Sequence, residues 1–91
     1  MNAEQAQDAL NTQIRDRAQT AGMTNLEISS EGNKVTFSYN GKSVSTELRG
    51  SRVVVSTPTV PFVVVPLSGD ITGEQVKITA EIAERYLLPN T

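Results

Sequence analysis

The sequence predicts an α+β fold of two layers: an antiparallel β-meander of four to five strands with an N-terminal and a C-terminal helix, in the order α-β-β-β-β-(β)-α. Three observations predict it. Apolar residues near the N-terminus recur at three- and four-residue spacing, the spacing shifts to two at Asn25, and it becomes helical again after Thr72. Turn residues separate the pieces, and no repeat or linker interrupts them. At 91 residues the chain is expected to form a single domain over 1–91.

The first helix is expected over residues 3–21. Ala and Gln dominate it, Gly and Pro are missing, and Gly22 follows where a left-handed cap belongs. Ala3, Ala6, Leu10, Ile14, Ala18 and Ala21 mark its apolar face. That face is thin, and small alanines let a helix lie close to a sheet. Arg15 and Arg17 fall toward the end where cations complement the helix dipole.

From Asn25 the period is that of strands. Leu26 and Ile28 alternate with Glu27 and Ser29, and Glu31-Gly32-Asn33 supplies a turn. Val35, Phe37 and Tyr39 alternate with Lys34, Thr36 and Ser38. Asn40-Gly41 then predicts a type I′ hairpin, because both residues tolerate positive φ. Val44, Thr46 and Leu48 complete a third strand opposite Ser43, Ser45 and Glu47. One face of this meander is apolar and the other is rich in Ser, Thr and charge.

Arg49-Gly50-Ser51-Arg52 makes the next turn. Residues 53–67 then read VVVSTPTVPFVVVPL, with two Val runs bounded by Pro58, Pro61 and Pro66. Continuous Val runs suit strands covered on both faces, and the prolines favour short strands near an edge. Ser68-Gly69-Asp70 is read as a loop. Thr72 and Gln75 form a capping-box pattern ahead of a second helix from about Gly73 to Leu88, stopped by Pro89. Ile78, Ile82 and Tyr86 share one stripe of it, with Val76, Ala80, Ala83 and Leu87 beside them, and Glu81 and Arg85 form an i,i+4 pair on the outside.

The composition excludes much chemistry. There is no His and no Cys, which removes zinc and iron–sulfur ligation, thiol nucleophiles, Ser-His triads and an imidazole switch. The carboxylates form no spaced acidic motif, Lys77 reads as a solvated helix residue, and no phosphate-binding glycine motif is present. No catalytic residue, metal or cofactor is therefore expected, and the chain is not expected to be an enzyme.

Eight basic against ten acidic residues give a net charge of −2, which disfavours nonspecific nucleic-acid binding and an anionic membrane surface. The order helix–three strands–helix also occurs in double-stranded-RNA-binding domains, which place a Lys cluster at the start of the second helix. Here that stretch is Gly73-Glu74-Gln75-Val76-Lys77, so nucleic acid ranks last among the partners. No stretch reaches the roughly 18–20 apolar residues of a membrane span, and Met1-Asn2-Ala3-Glu4-Gln5 lacks the pattern of a secretory signal. A cytoplasmic location is expected.

The expected function is that of a small acidic protein-binding module acting by surface contact: an inhibitor, adaptor or chaperone, with a phage-type accessory protein as one scenario. The alternative is a structural subunit of a larger assembly, such as a virion or secretion component. The Val/Pro segment is the expected binding surface, through Val60, Phe62, Val63, Val64 and Val65, with Arg49 and Arg52 as a polar rim. Two Phe, two Tyr and many Ala and Val make a lean core, which a homodimer interface would complement. The periodicity leaves residues 53–67 open between core and interface.

Overall fold

A computed structural model describes residues 1–58 and 71–88, with the strand backbone at 63–65 between them. Helix α1 (Ala3–Thr20) is followed by strands β1 (Glu27–Glu31), β2 (Lys34–Tyr39), β3 (Lys42–Arg49), β4 (Arg52–Ser56) and β5 (Val63–Val65), then by helix α2 (Gly73–Leu87). The strands form one antiparallel sheet in chain order, β1-β2-β3-β4-β5. The α+β architecture is the one expected from the periodicity. The loop assigned to Ser68-Gly69-Asp70 and the stop at Pro89 lie outside the described residues.

Local chemistry sets the element ends. Asn2 Oδ1 accepts the Gln5 backbone N–H at 2.8 Å, and Gln5 Oε1 accepts that of Asn2 at 3.0 Å, a reciprocal cap on α1. At its other end Gly22 has φ +82°, the Met23 N–H donates to the Ala18 carbonyl and the Gly22 N–H to that of Gln19. These two bonds satisfy carbonyls that the last turn would otherwise leave open. Asn40 and Gly41 have φ values of +54° and +81°, as the two-residue turn between β2 and β3 requires. Thr72 and Gln75 cap α2 in the same reciprocal way, at 3.2 and 3.0 Å.

Five antiparallel strands separate the helices, so α1 and α2 run in the same direction. Near their starts, the Met1 ammonium donates to the Ile71 carbonyl at 3.1 Å. Near their ends, the Arg17 guanidinium reaches Glu84 at 3.1 Å and Glu81 at 3.3 Å. Glu81 is thus held by α1. The expected pair of Glu81 with Arg85 is not formed among the described residues, because a guanidinium on the neighbouring helix takes the carboxylate.

The core lies between the helices and one face of the sheet. Leu10 and Ile14 of α1 meet Phe37, Val44, Val53 and Val55 of the sheet and Val76, Ala80, Ala83 and Leu87 of α2, with Ile71 and Met23 at the ends. Val53, Val54 and Val55 are all buried, as the Val run implied for a strand covered on both faces. The expected α1 face is buried at Ala6, Leu10, Ile14 and Ala18, while Ala21 is exposed and Gln7 joins the buried side. Gln7 Nε2 donates to the Asn33 carbonyl at 3.0 Å and to the Thr46 carbonyl at 3.2 Å. The hydroxyl of Thr46 donates to Asn11 Oδ1 at 2.6 Å. A satisfied polar seam therefore runs through the α1–sheet contact, where a polar group without partners would be destabilising.

In α2 the buried face is Val76, Thr79, Ala80, Ala83 and Leu87. Of the neighbouring stripe, Ile78 and Ile82 are 50% and 46% exposed, while Tyr86 is half-buried against the core. The buried face mixes the small Ala80 and Ala83 with Val76 and Leu87, so the helix both approaches the core closely and fills it.

Candidate functional site

The residues singled out in the sequence separate into three groups. Arg49 and Arg52 face each other across the β3–β4 hairpin, and Arg49 Nε donates to Glu47 Oε1 at 2.8 Å. Arg52 is exposed. Val63, Val64 and Val65 form β5, in register with Val55, Val54 and Val53 of β4. Val60 and Phe62 lie outside the described residues. The fold thus brings Arg52 onto the strand beside β5, and β5 is the last described strand on its side of the sheet. This matches the short edge strand that the prolines implied.

The opposite end of the sheet carries a surface that the alternation of Leu26 and Ile28 placed only on the apolar face of the meander. All five residues of β1 are exposed, on both faces. Ile28 is 49% exposed, although its register partner Phe37, on the same face of the sheet, is 1% exposed. The widths of the elements explain the difference. Two helices side by side cover roughly 20 Å, at about 10 Å each. Strands lie about 4.8 Å apart, so two helices roof about four of them. The helices make their main sheet contacts with β3, β4 and β5. The strand left without a roof is β1.

What β1 presents follows from strand geometry. Side chains alternate between faces, so Glu27, Ser29 and Glu31 lie on the face away from the helices, and Ile28 and Ser30 on the helix side. Beside Ile28 a groove of about 340 Å³ runs between α1 and β1, lined by Arg15, Gln19, Met23, Thr24, Leu26 and Ile28. It has room for one or two side chains of a partner. The Glu31–Lys34 pair closes the two-residue β1–β2 turn. Counting the alternation of antiparallel bonding from that pair, Glu27, Ser29 and Glu31 bond to β2, while the N–H and C=O of Ile28 and Ser30 point outward. The exposed edge thus has a defined set of backbone donors and acceptors, one large apolar side chain, Ile28, and a carboxylate at either end.

The signals for this surface are present in the sequence. The first strand of a meander lies at an edge, and Glu27 and Glu31 are charges of the kind that guard edges. The decisive fact, which strands the helices roof, depends on tertiary packing. The far face of the sheet carries a row of small hydroxyls, Ser29, Thr36, Ser45 and Ser56, opposite one another on four strands, with Thr36 and Ser45 3.4 Å apart.

Among the described residues no group of three or more acidic, His or Cys side chains is placed to hold a metal ion. No helix of the described residues is long and apolar enough to cross a membrane. Comparison with protein-family models gives no match, and comparisons with curated proteins and with solved structures give none either.

Proposed function

We propose that this protein is a non-enzymatic binding module that takes up an extended segment of a partner protein as an additional strand along β1. The carrying observation is the contrast between Ile28, half exposed, and Phe37, buried opposite it on the same face. An edge with free backbone groups supplies general affinity for an extended chain, and its side chains supply selectivity. The chemistry here favours a segment with an apolar residue to lie on Ile28 and its groove, and Lys or Arg placed to face Glu27 and Glu31. A second copy of β1 is a poor occupant in the register centred on Ser29, which sets Glu27 against Glu31 at both ends.

The test is capture of binding proteins from native lysate by the wild type and by three variants that leave the core untouched. Ile28→Lys removes the large apolar side chain and adds charge, and Ser30→Pro removes an outward N–H without breaking a bond to β2. Arg52→Glu changes the other end of the sheet. A partner retained by the wild type and by Arg52→Glu, but lost by both β1 variants, supports the proposal. A partner lost only by Arg52→Glu places binding at the β4–β5 edge and refutes the assignment to β1. The second reading, an assembly subunit, draws on β5 as another edge strand. It requires defined higher oligomers of the purified protein.

A further inference from the structure

We propose that two copies of the chain associate through α2, antiparallel and related by a two-fold axis that crosses the helix near Ala80. The flank of α2 turned away from α1 carries Ile78 and Ile82, 50% and 46% exposed, while Glu81 and Glu84 on the other flank hold Arg17. Glu74 in the first turn and Arg85 in the last lie along the same outward side, and both are exposed. Neither has an ion-pair partner among the described residues, and the carboxylates nearest Arg85 in sequence, Glu84 and Glu81, are both taken by Arg17.

The order of these four residues is self-complementary. The midpoint between Ile78 and Ile82 and the midpoint between Glu74 and Arg85 both fall at Ala80, within half a residue. A two-fold axis there sets Ile78 over Ile82 of the second copy, twice, and Glu74 opposite Arg85 of the second copy, also twice. Glu74 and Arg85 are about 16 Å apart along the helix, so the ion pairs close both ends of the apolar centre. Two-fold interfaces require a patch that complements itself in this manner. A contact confined to one helix of 15 residues is small beside a standard protein interface, so the dimer is reversible and concentration-dependent. This contact is independent of β1 and does not rest on the proposed strand addition.

Sedimentation equilibrium tests it. The 9.8-kDa chain should approach twice that mass as concentration rises. Glu74→Arg alone and Arg85→Glu alone each place like charges at both ends and should return the monomer. An equimolar mixture of these two variants should recover the dimer, because each then supplies the charge the other lacks. Recovery on mixing cannot come from a change in helix stability, which would act within each chain; circular dichroism of each variant checks that it is folded. Ile28→Lys should leave the dimer intact. A wild type that stays monomeric up to about 1 mM overturns the proposal. So does a dimer that survives the single charge changes, or one that Ile28→Lys dissolves, which would make the contact strand pairing at β1.

Discussion

Ile28 and Phe37 offer a direct test of which strands the helices cover. They are register partners on one face of the sheet, yet they are 49% and 1% exposed. Replacing Phe37 by Ala leaves a hole beneath the helices, and such truncations cost about 3–5 kcal/mol. Ile28→Thr keeps a β-branched strand residue and alters a side chain that is half out of the core already. Full burial of an Ile is worth about 1.5–3 kcal/mol, so half burial puts the loss at about 1 kcal/mol. Urea unfolding followed by circular dichroism measures both. With a slope of about 1.5 kcal/mol per M, Phe37→Ala lowers the midpoint by about 2–3 M and Ile28→Thr by less than about 1 M. A chain of this size has a total stability on the order of 5–14 kcal/mol, so Phe37→Ala can leave too little folded protein to fit. Phe37→Leu then serves, with a smaller shift in the same direction. Equal losses at the two positions would refute the geometry, because they would mean that β1 lies under a roof as β2 does.

Three further outcomes are expected. Gly41→Ala should destabilise by about 1–2 kcal/mol from its φ of +81° alone, since nothing lies within 4 Å of an added Cβ, whereas Gly73→Ala at the start of α2, equally open and with ordinary φ, should be neutral or mildly stabilising; thermal melts distinguish the two. Thr46→Val should cost about 1–3 kcal/mol in urea unfolding despite its matching shape, because it removes the donor that satisfies Asn11 Oδ1 at 2.6 Å. Arg17→Ala should cost less than about 1 kcal/mol per ion pair it breaks, and the loss should shrink in 1 M salt, because both pairs are partly exposed.

The element order was legible because each element carries its own period and punctuation. Gly22, Asn40-Gly41 and the Thr72/Gln75 cap act within a few residues, and each does in the structure what its local chemistry requires. Three features were not legible, and they have one cause. Gln7 enters the core because the Thr46 and Asn33 carbonyls are there to receive it. Glu81 turns to Arg17 because α2 lies beside α1. Ile28 is left out because the roof ends before β1. In each case the deciding partner is remote in sequence, and periodicity reports only which side of an element is apolar. The Val/Pro segment stands out in the sequence by its composition. Its first Val run is buried, and its second forms the short strand β5.

Charge placement gives the two proposed surfaces different rules of pairing. On β1 the carboxylates at either end are alike, so a second β1 centred on Ser29 meets repulsion at both ends and a basic strand meets attraction. An edge guarded in this way resists indiscriminate sheet growth and still accepts a chosen chain. On α2 the end charges are opposite, so reversal of the helix matches each with its complement and favours a second copy. The helix layer separates the surfaces: α1 lies between β1 and the outward flank of α2. A dimer through α2 therefore leaves both β1 edges open, on opposite sides of the axis. A target presenting two basic strands at a matching span would be held by both edges, with the second contact made at high effective concentration. Such a target should bind the Arg85→Glu monomer much more weakly than the wild-type dimer, while a single-strand peptide should bind both equally. Surface plasmon resonance with the two ligands measures the ratio directly. A preference for the dimer with the single-strand peptide would mean that the contact through α2 alters β1 itself, and that the two surfaces are not separate.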